Sequence, residues 1–248
     1  MKRGTTQSEL EPALGTDANA NSNNDGQPVP PCATCSGTGW ELRPDGVARC
    51  RCWAERVLAR RARDASMPLN AGRMTFDAFA AYSPAQVSAL ALARKVAAGE
   101  SRHLGLLGSV GTGKTHLGCA ILHEFLRTGR SARYCIAADL ISEIRATWGP
   151  DADLTEKQAI ARFVAPDCLF VDEVGVQAGT ESEERLLFRV LDQRYQRERA
   201  IVLASNESIE GLRRYLGDRI MDRLRDGNGA VALMEWESAR GKEMSGAK

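Results

Sequence analysis

The sequence predicts an α/β fold, a parallel sheet with helices on both faces, organised around a phosphate-binding loop. Three observations predict it. The run Gly108-Ser109-Val110-Gly111-Thr112-Gly113-Lys114-Thr115 fits the spacing G-x-x-x-x-G-K-[ST]. From His103 onward, short apolar runs alternate with stretches of helical periodicity, the pattern of a sheet covered on both sides. Leu169-Phe170-Val171 leads into Asp172-Glu173, setting two carboxylates at a strand's C-terminal end, where such sheets bind ligands.

Residues 1–31, which include GTDANANSNNDGQPVPP, carry too little apolar surface to offset ordering entropy and are expected to be a disordered tail. Residues 32–66 read as a small module, a cysteine cluster followed by a basic helix over 54–66 (AERVLARRARDAS) that Met67-Pro68 ends. Residues 67–99 are a linker and the first helix of the core, with Pro84 as its start signal. Residues 100–248 complete the core. There His103–Leu107 reads as a buried strand, and His116–Leu126 as a helix stopping before Gly129. Ala132–Ala137 is the second strand, followed by helices over Ala138–Ala146 and Thr155–Val164. Cys168–Val171 is the third strand, Glu181–Arg197 a long helix and Ala200–Ser205 the fourth strand. Two short helices, Ile209–Leu216 and Arg219–Arg225, precede a last strand over Ala230–Met234.

The loop spacing has a chemical reason. Gly108, Gly111 and Gly113 let the backbone turn tightly, so that successive N–H groups, that of Thr112 included, point inward at a β-phosphate. Lys114 is expected to bridge the β- and γ-phosphates and the Thr115 hydroxyl to ligate Mg²⁺. Asp172 would hold the same Mg²⁺, and Glu173 would polarise an attacking water.

These residues stand among other fragments in a specific order. They are Thr75-Phe76-Asp77-Ala78-Phe79, Gly113-Lys114-Thr115-His116-Leu117, Val171-Asp172-Glu173-Val174-Gly175, Leu191-Asp192-Gln193-Arg194-Tyr195, Ala204-Ser205-Asn206 and Asp218-Arg219-Ile220-Met221-Asp222-Arg223-Leu224. Together, over about Met74 to Met244, they resemble the DnaC/DnaI-type helicase-loader family of AAA+ ATPases, in the clade shared with IstB-type transposition helpers. The resemblance implies a P-loop AAA+ sheet, ATP and Mg²⁺ as cofactors, and assembly as a homo-oligomer on a DnaB-like replicative helicase. It further implies an N-terminal domain that grips the helicase and ATP-supported delivery of that helicase onto single-stranded DNA. In this reading Asn206 positions the lytic water beside Glu173, although an Asn after a strand also favours a turn. Arg219 resembles an arginine finger that completes a neighbouring subunit's site. Arg223 and Arg225 face DNA, an interface or solvent; Arg240 either reaches the γ-phosphate or is a surface residue. Only 42 residues follow Asn206, which predicts a short C-terminal region without a full helical lid.

The chain has seven cysteines. Cys119, Cys135 and Cys168 sit singly in apolar segments and read as buried small hydrophobes. Cys32-x₂-Cys35-x₁₄-Cys50-x-Cys52 offers four thiolates, the number a structural zinc site takes; a redox pair, free thiols or an iron–sulfur cluster are the other readings. The turn Cys35-Ser36-Gly37-Thr38-Gly39-Trp40 is expected to offer backbone N–H groups to sulfur. Arg49, Arg51, Arg56, Arg60, Arg61 and Arg63 beside the cluster favour DNA on charge, whereas the resemblance favours helicase docking.

Net charge is only +1, so it points to no class of partner. Arg outnumbers Lys 27 to 6, which suits phosphate recognition but also follows from a GC-rich genome. No apolar run approaches the roughly 18 residues of a membrane span, and MKRGTTQSEL lacks a signal-peptide apolar region, so a cytoplasmic protein is expected. His103, His116 and His123 form no hydrolase constellation, and His116 and His123 read as packing or surface residues. Three functions stay open: a helicase loader, a transposition helper acting on duplex DNA, and a non-catalytic adaptor switched by ATP.

Overall fold

The structure is a computed structural model that describes residues 32–175 and 180–238. The expected disordered tail and Arg240 lie outside the described residues. Two compact units are present, one ending at Arg56 and one beginning at Val57.

In the smaller unit β1 (Trp40–Arg43) pairs antiparallel with β2 (Gly46–Arg49), with Trp40 opposite Arg49 and Leu42 opposite Val47. Gly46 makes the turn at φ 137°, a conformation that L side chains rarely adopt. The sequence reading did not anticipate this hairpin, because strands of four residues are too short for their alternation to register. Helix α1 (Arg51–Asp64) starts three residues earlier than expected, immediately after Cys50.

The larger unit contains α2 (Pro84–Ala98), β3 (His103–Gly108), α3 (Lys114–Arg127), β4 (Ala132–Ile136), α4 (Ala137–Arg145) and α5 (Glu156–Val164). It continues with β5 (Cys168–Asp172), α6 (Glu181–Gln196), β6 (Ala200–Ser205), α7 (Ile209–Leu216), α8 (Asp218–Arg225) and β7 (Ala230–Met234). Local chemistry sets the helix starts. Ser83, Thr155 and Thr180 each accept a hydrogen bond from the backbone N–H three residues on, and Gln86, Gln158 and Glu183 reciprocate, satisfying orphan donors at both ends of the box. Gly99 ends α2 in the left-handed conformation.

The five strands are all parallel, in the order β4-β5-β6-β3-β7. Alternation along them divides the core in two. Leu104 and Leu106 of β3, Phe170 of β5 and Val202 and Ala204 of β6 pack under α2 and α3. Leu107, Leu169, Val171, Ile201 and Leu203 point the other way, against α4, α5, α6, α7 and α8. Strands apolar on both faces and helices above and below are the expected α/β arrangement. Among the described residues no helix follows β7.

A charged residue lies deep in the core. Arg194 of α6 is fully buried, and its guanidinium donates to the carbonyls of Phe163, Val164, Pro166, Asp167 and Ala200 at 2.5–3.3 Å. Burial lowers its pKa to about 10. It ties the α5–β5 connection to the start of β6, giving buried carbonyls a charged donor.

Candidate nucleotide site

The C-terminal ends of β3, β5 and β6 converge on one cleft of about 270 Å³. Strand β3 ends at Gly108 (φ 154°), where a Cβ would fall 2.2 Å from the Met234 carbonyl oxygen of β7. Gly113 (φ 96°) lets Phe79 approach so closely that a Cβ would meet its ring at 2.8 Å. The loop between them is held from within and without. Thr112 Oγ1 donates to the Ser109 carbonyl at 2.9 Å, and the Trp236 indole N–H donates to the Thr112 carbonyl at 3.0 Å. Lys114 Nζ donates to the Gly108 and Ser109 carbonyls at 2.8 and 2.7 Å, so the ammonium lies folded along its own loop.

Across the cleft Thr115 Oγ1 donates to Asp172 Oδ2 at 2.7 Å, while the Glu173 backbone N–H donates to Asp172 Oδ1 at 2.9 Å. A hydroxyl and a carboxylate side by side are the hard oxygen donors that Mg²⁺ accepts, alongside water and phosphate oxygens. The Tyr134 hydroxyl of β4 approaches Asp172 Oδ2 at 3.5 Å. Burial and the neighbouring Asp172 carboxylate raise the tyrosine pKa, so it stays a neutral donor. Glu173 leaves β5 at φ 55°, a left-handed conformation uncommon for a residue with a side chain, and its carboxylate is exposed. The turn is fixed from β6: the Val174 N–H donates to the Ala204 carbonyl at 2.9 Å, and Ser205 Oγ donates to the Val174 carbonyl at 2.5 Å. Asn206 follows directly and lines the same cleft as Glu173.

The fold therefore gathers Gly111, Gly113, Lys114, Thr115, Asp172, Glu173 and Asn206 around one opening. Arg219 does not line it; on α8 it faces the Asp192 carboxylate at 3.9 Å and lies over the Phe188 ring at 5.7 Å. Arg223 of the same helix pairs with Asp192 and stacks over Tyr195 at 4.7 Å. Arg225 is exposed. Tyr134, Trp236, Met74 and His116 also border the loop or its carboxylate, and sequence reasoning did not assign them there. Each comes from an element remote in sequence or, for His116, reads as ordinary helix packing. His116 Nε2 is in fact 2.8 Å from the Thr75 carbonyl, with Phe79 edge-on to its ring at 5.5 Å.

In the smaller unit the Sγ atoms of Cys32, Cys35, Cys50 and Cys52 all lie within 4.8 Å of one another. Two of the separations are 3.8 Å (Cys32–Cys50) and 3.3 Å (Cys35–Cys52). A tetrahedral site with Zn–S bonds of about 2.3 Å spaces its sulfurs about 3.8 Å apart, so this donor set fits zinc. The Gly39 N–H donates to Cys35 Sγ at 3.3 Å, as the turn predicts, and Arg56 Nη2 donates to Cys52 Sγ at 3.4 Å. Backbone N–H groups of Thr34 and Cys35 draw the Cys32 thiol down to about 6, which favours the ligating thiolate. Within the same cluster the hydrogen bond with Cys35 raises Cys52 to about 12, so one thiolate is shared among neighbouring thiols. Burial pushes the core residues Cys119, Cys135 and Cys168 up to about 12 as well.

The IstB-like ATP binding protein family matches residues 49–246, most of the chain. The chain belongs to the IstB-like ATP binding proteins. Among relatives of this IstB-like chain, the replicative helicase loader DnaC of Buchnera aphidicola subsp. Baizongia pistaciae is 33% identical over 135 residues, 54% of this chain and 55% of that protein. DnaC of Escherichia coli K12 gives the same identity and coverage. The chain thus spans about half the length of the curated relatives it matches. The crystal structure of a DnaC helicase loader aligns with TM-score 0.58 at 18% identity, covering 66% of this chain and 97% of that one. DnaI aligns with TM-score 0.58 at 22% identity, covering 67% and 94%. These structural likenesses show a shared fold. No helix among the described residues is long and apolar enough to cross a membrane.

Proposed function

We propose that this IstB-like ATP binding protein hydrolyses ATP and loads a DnaB-like replicative helicase onto single-stranded DNA in the cytoplasm. The observation that carries the reading is the similarity to relatives named replicative helicase loader, which runs through a chain whose P-loop and Asp172–Glu173 turn face each other. In this proposal the N–H groups of Gly108, Gly111, Thr112 and Gly113 bind phosphate oxygens, and Lys114 swings from its loop carbonyls onto the β- and γ-phosphates. Thr115 and Asp172 hold Mg²⁺, which when bound neutralises charge on those phosphates. Glu173 and Asn206 orient the attacking water, and Glu173 takes its proton. Arg219, exposed and away from the cleft of its own chain, suits a finger supplied to a neighbouring copy, so activity requires a homo-oligomer assembled on the helicase. Arg240 is proposed as the residue reaching the γ-phosphate. Zinc held by Cys32, Cys35, Cys50 and Cys52 supplies the order of 10 kcal/mol that folds a unit with so little apolar core, and that unit grips the helicase.

The test is complex formation and ATPase activity with purified replicative helicase, with and without single-stranded DNA. An ATP-dependent complex that opens or loads the helicase is expected, with Lys114→Ala losing ATP binding at least tenfold and Arg219→Ala abolishing stimulated hydrolysis while leaving ATP affinity intact. The family match favours one other reading, a transposition helper on duplex DNA. Absence of a helicase complex together with ATP-dependent duplex binding would select that reading. Loading that survives Asp172→Asn in full would instead mark an adaptor that needs no hydrolysis.

A further inference from the structure

We infer that the outer face of the β1–β2 hairpin is a docking surface for a partner-protein segment that is apolar and carries a carboxylate. The inference rests on the reading that the cysteine unit grips the helicase, and it assigns the gripping face.

Antiparallel register puts Trp40, Leu42, Val47 and Arg49 on one face of the hairpin. Leu42 is 89% exposed, Val47 64% and Trp40 43%. In the described part of this unit only Cys35, Gly39 and Cys50 are buried, so its large apolar side chains all remain outside. Four cysteines able to hold a metal remove the need for those side chains in an interior. A contiguous apolar face at the surface then marks an interaction site. At its end away from the turn the Arg49 guanidinium stacks between two indoles, 3.7 Å from the Trp40 ring and 4.4 Å from the Trp53 ring.

The charges select the occupant. Residues 32–56 hold four arginines against three carboxylates. Arg43 pairs with Glu41, Arg51 pairs with Glu55 at 2.9 Å, and Arg56 is turned to the Gly37 carbonyl and Cys52 Sγ. Arg49 is left as a cation with no carboxylate pair among the described residues, pre-oriented by the rings and flanked by aliphatic surface. Nucleic acid takes several cations to neutralise successive phosphates. One held arginine beside Leu, Val and Trp instead complements a protein segment, apolar along one side with an Asp or Glu at one end of that side.

The experiment uses the full chain and purified replicative helicase in a calorimetric titration. Leu42→Asp with Val47→Asp, and separately Arg49→Glu, are expected to weaken helicase binding at least tenfold, with Arg49→Lys weakening it less. Bound zinc and ATP affinity should be unchanged, which shows that both units are folded. If these variants bind normally while Cys32→Ser with Cys35→Ser does not, the face is wrong and the grip by the unit stands. If the cysteine variant also binds normally, or the unaltered chain does not bind, the docking reading itself falls. Loss of single-stranded DNA affinity with helicase affinity kept would overturn the inference in favour of base stacking on Trp40. Unchanged binding together with a tighter complex after removal of residues 1–31 would overturn it in favour of the chain's own N-terminal segment.

Discussion

Gly118, in the second turn of α3, faces Phe170 so directly that a Cβ would lie 2.2 Å from the ring. Alanine is the better helix former by about 1 kcal/mol, but Phe170 is fully buried and has nowhere to move. Overpacking should win, and Gly118→Ala is expected to destabilise the protein by about 1–3 kcal/mol in urea unfolding. A second residue-level effect concerns protons. Burial, then the charges of Arg102 and Arg194, lowers the His103 pKa to about 4. The unfolded chain therefore takes up a proton near pH 6.5 that the folded chain refuses, so stability is full above that pH and falls as pH drops toward 4. Between pH 7 and pH 5 the expected loss from this group is about 2 kcal/mol, and in His103→Gln that part of the pH dependence should vanish. The P-loop and the Asp172–Glu173 pair were legible at this scale because their chemistry needs residues adjacent in sequence. Tyr134 and Trp236 were not, since a lone aromatic says nothing about which distant loop it will touch.

At the scale of elements, periodicity and the Pro84 start signal carried most of the reading, and the helices begin at Pro84, Glu156 and Glu181, within one residue of expectation. The capping boxes of Ser83, Thr155 and Thr180 supply the physical reason. The hairpin was not legible, as two periods of alternation in a four-residue strand are too few to tell from chance. Arg194 lies at helical spacing from the buried Leu187, Val190 and Leu191, but a charged residue type argues for solvent, so its burial was not legible. Its replacement tests what it holds together. Arg194→Leu keeps the bulk but strips donors from five carbonyls, and should cost about 3–5 kcal/mol, as loss of one side of a buried charged network does. Amide exchange should accelerate first over residues 163–168.

For the whole molecule, alternating strands and helices made the parallel sheet legible, while strand order was not, because it is set by which crossovers pack rather than by any local signal. Two units with different means of support should also fail separately. Under a strong zinc chelator, amide exchange over residues 35–50 is expected to rise to unfolded rates while ATP affinity stays within twofold; a coincident loss of ATP binding would contradict independent support.

The strand order has a consequence during synthesis. The strand that carries the phosphate loop, β3, is flanked by β6 and β7, whose residues 200–205 and 230–234 are among the last of the described chain to leave the ribosome. Gly108 fits only against the Met234 carbonyl, and Trp236 fastens the loop at Thr112. A nascent chain thus travels most of its length with the loop held only by its own bonds, and ATP retention is expected to come late. A ribosome stalled before Ala230 would display every motif residue of the P-loop and of the Asp172–Glu173 turn, and hold no nucleotide.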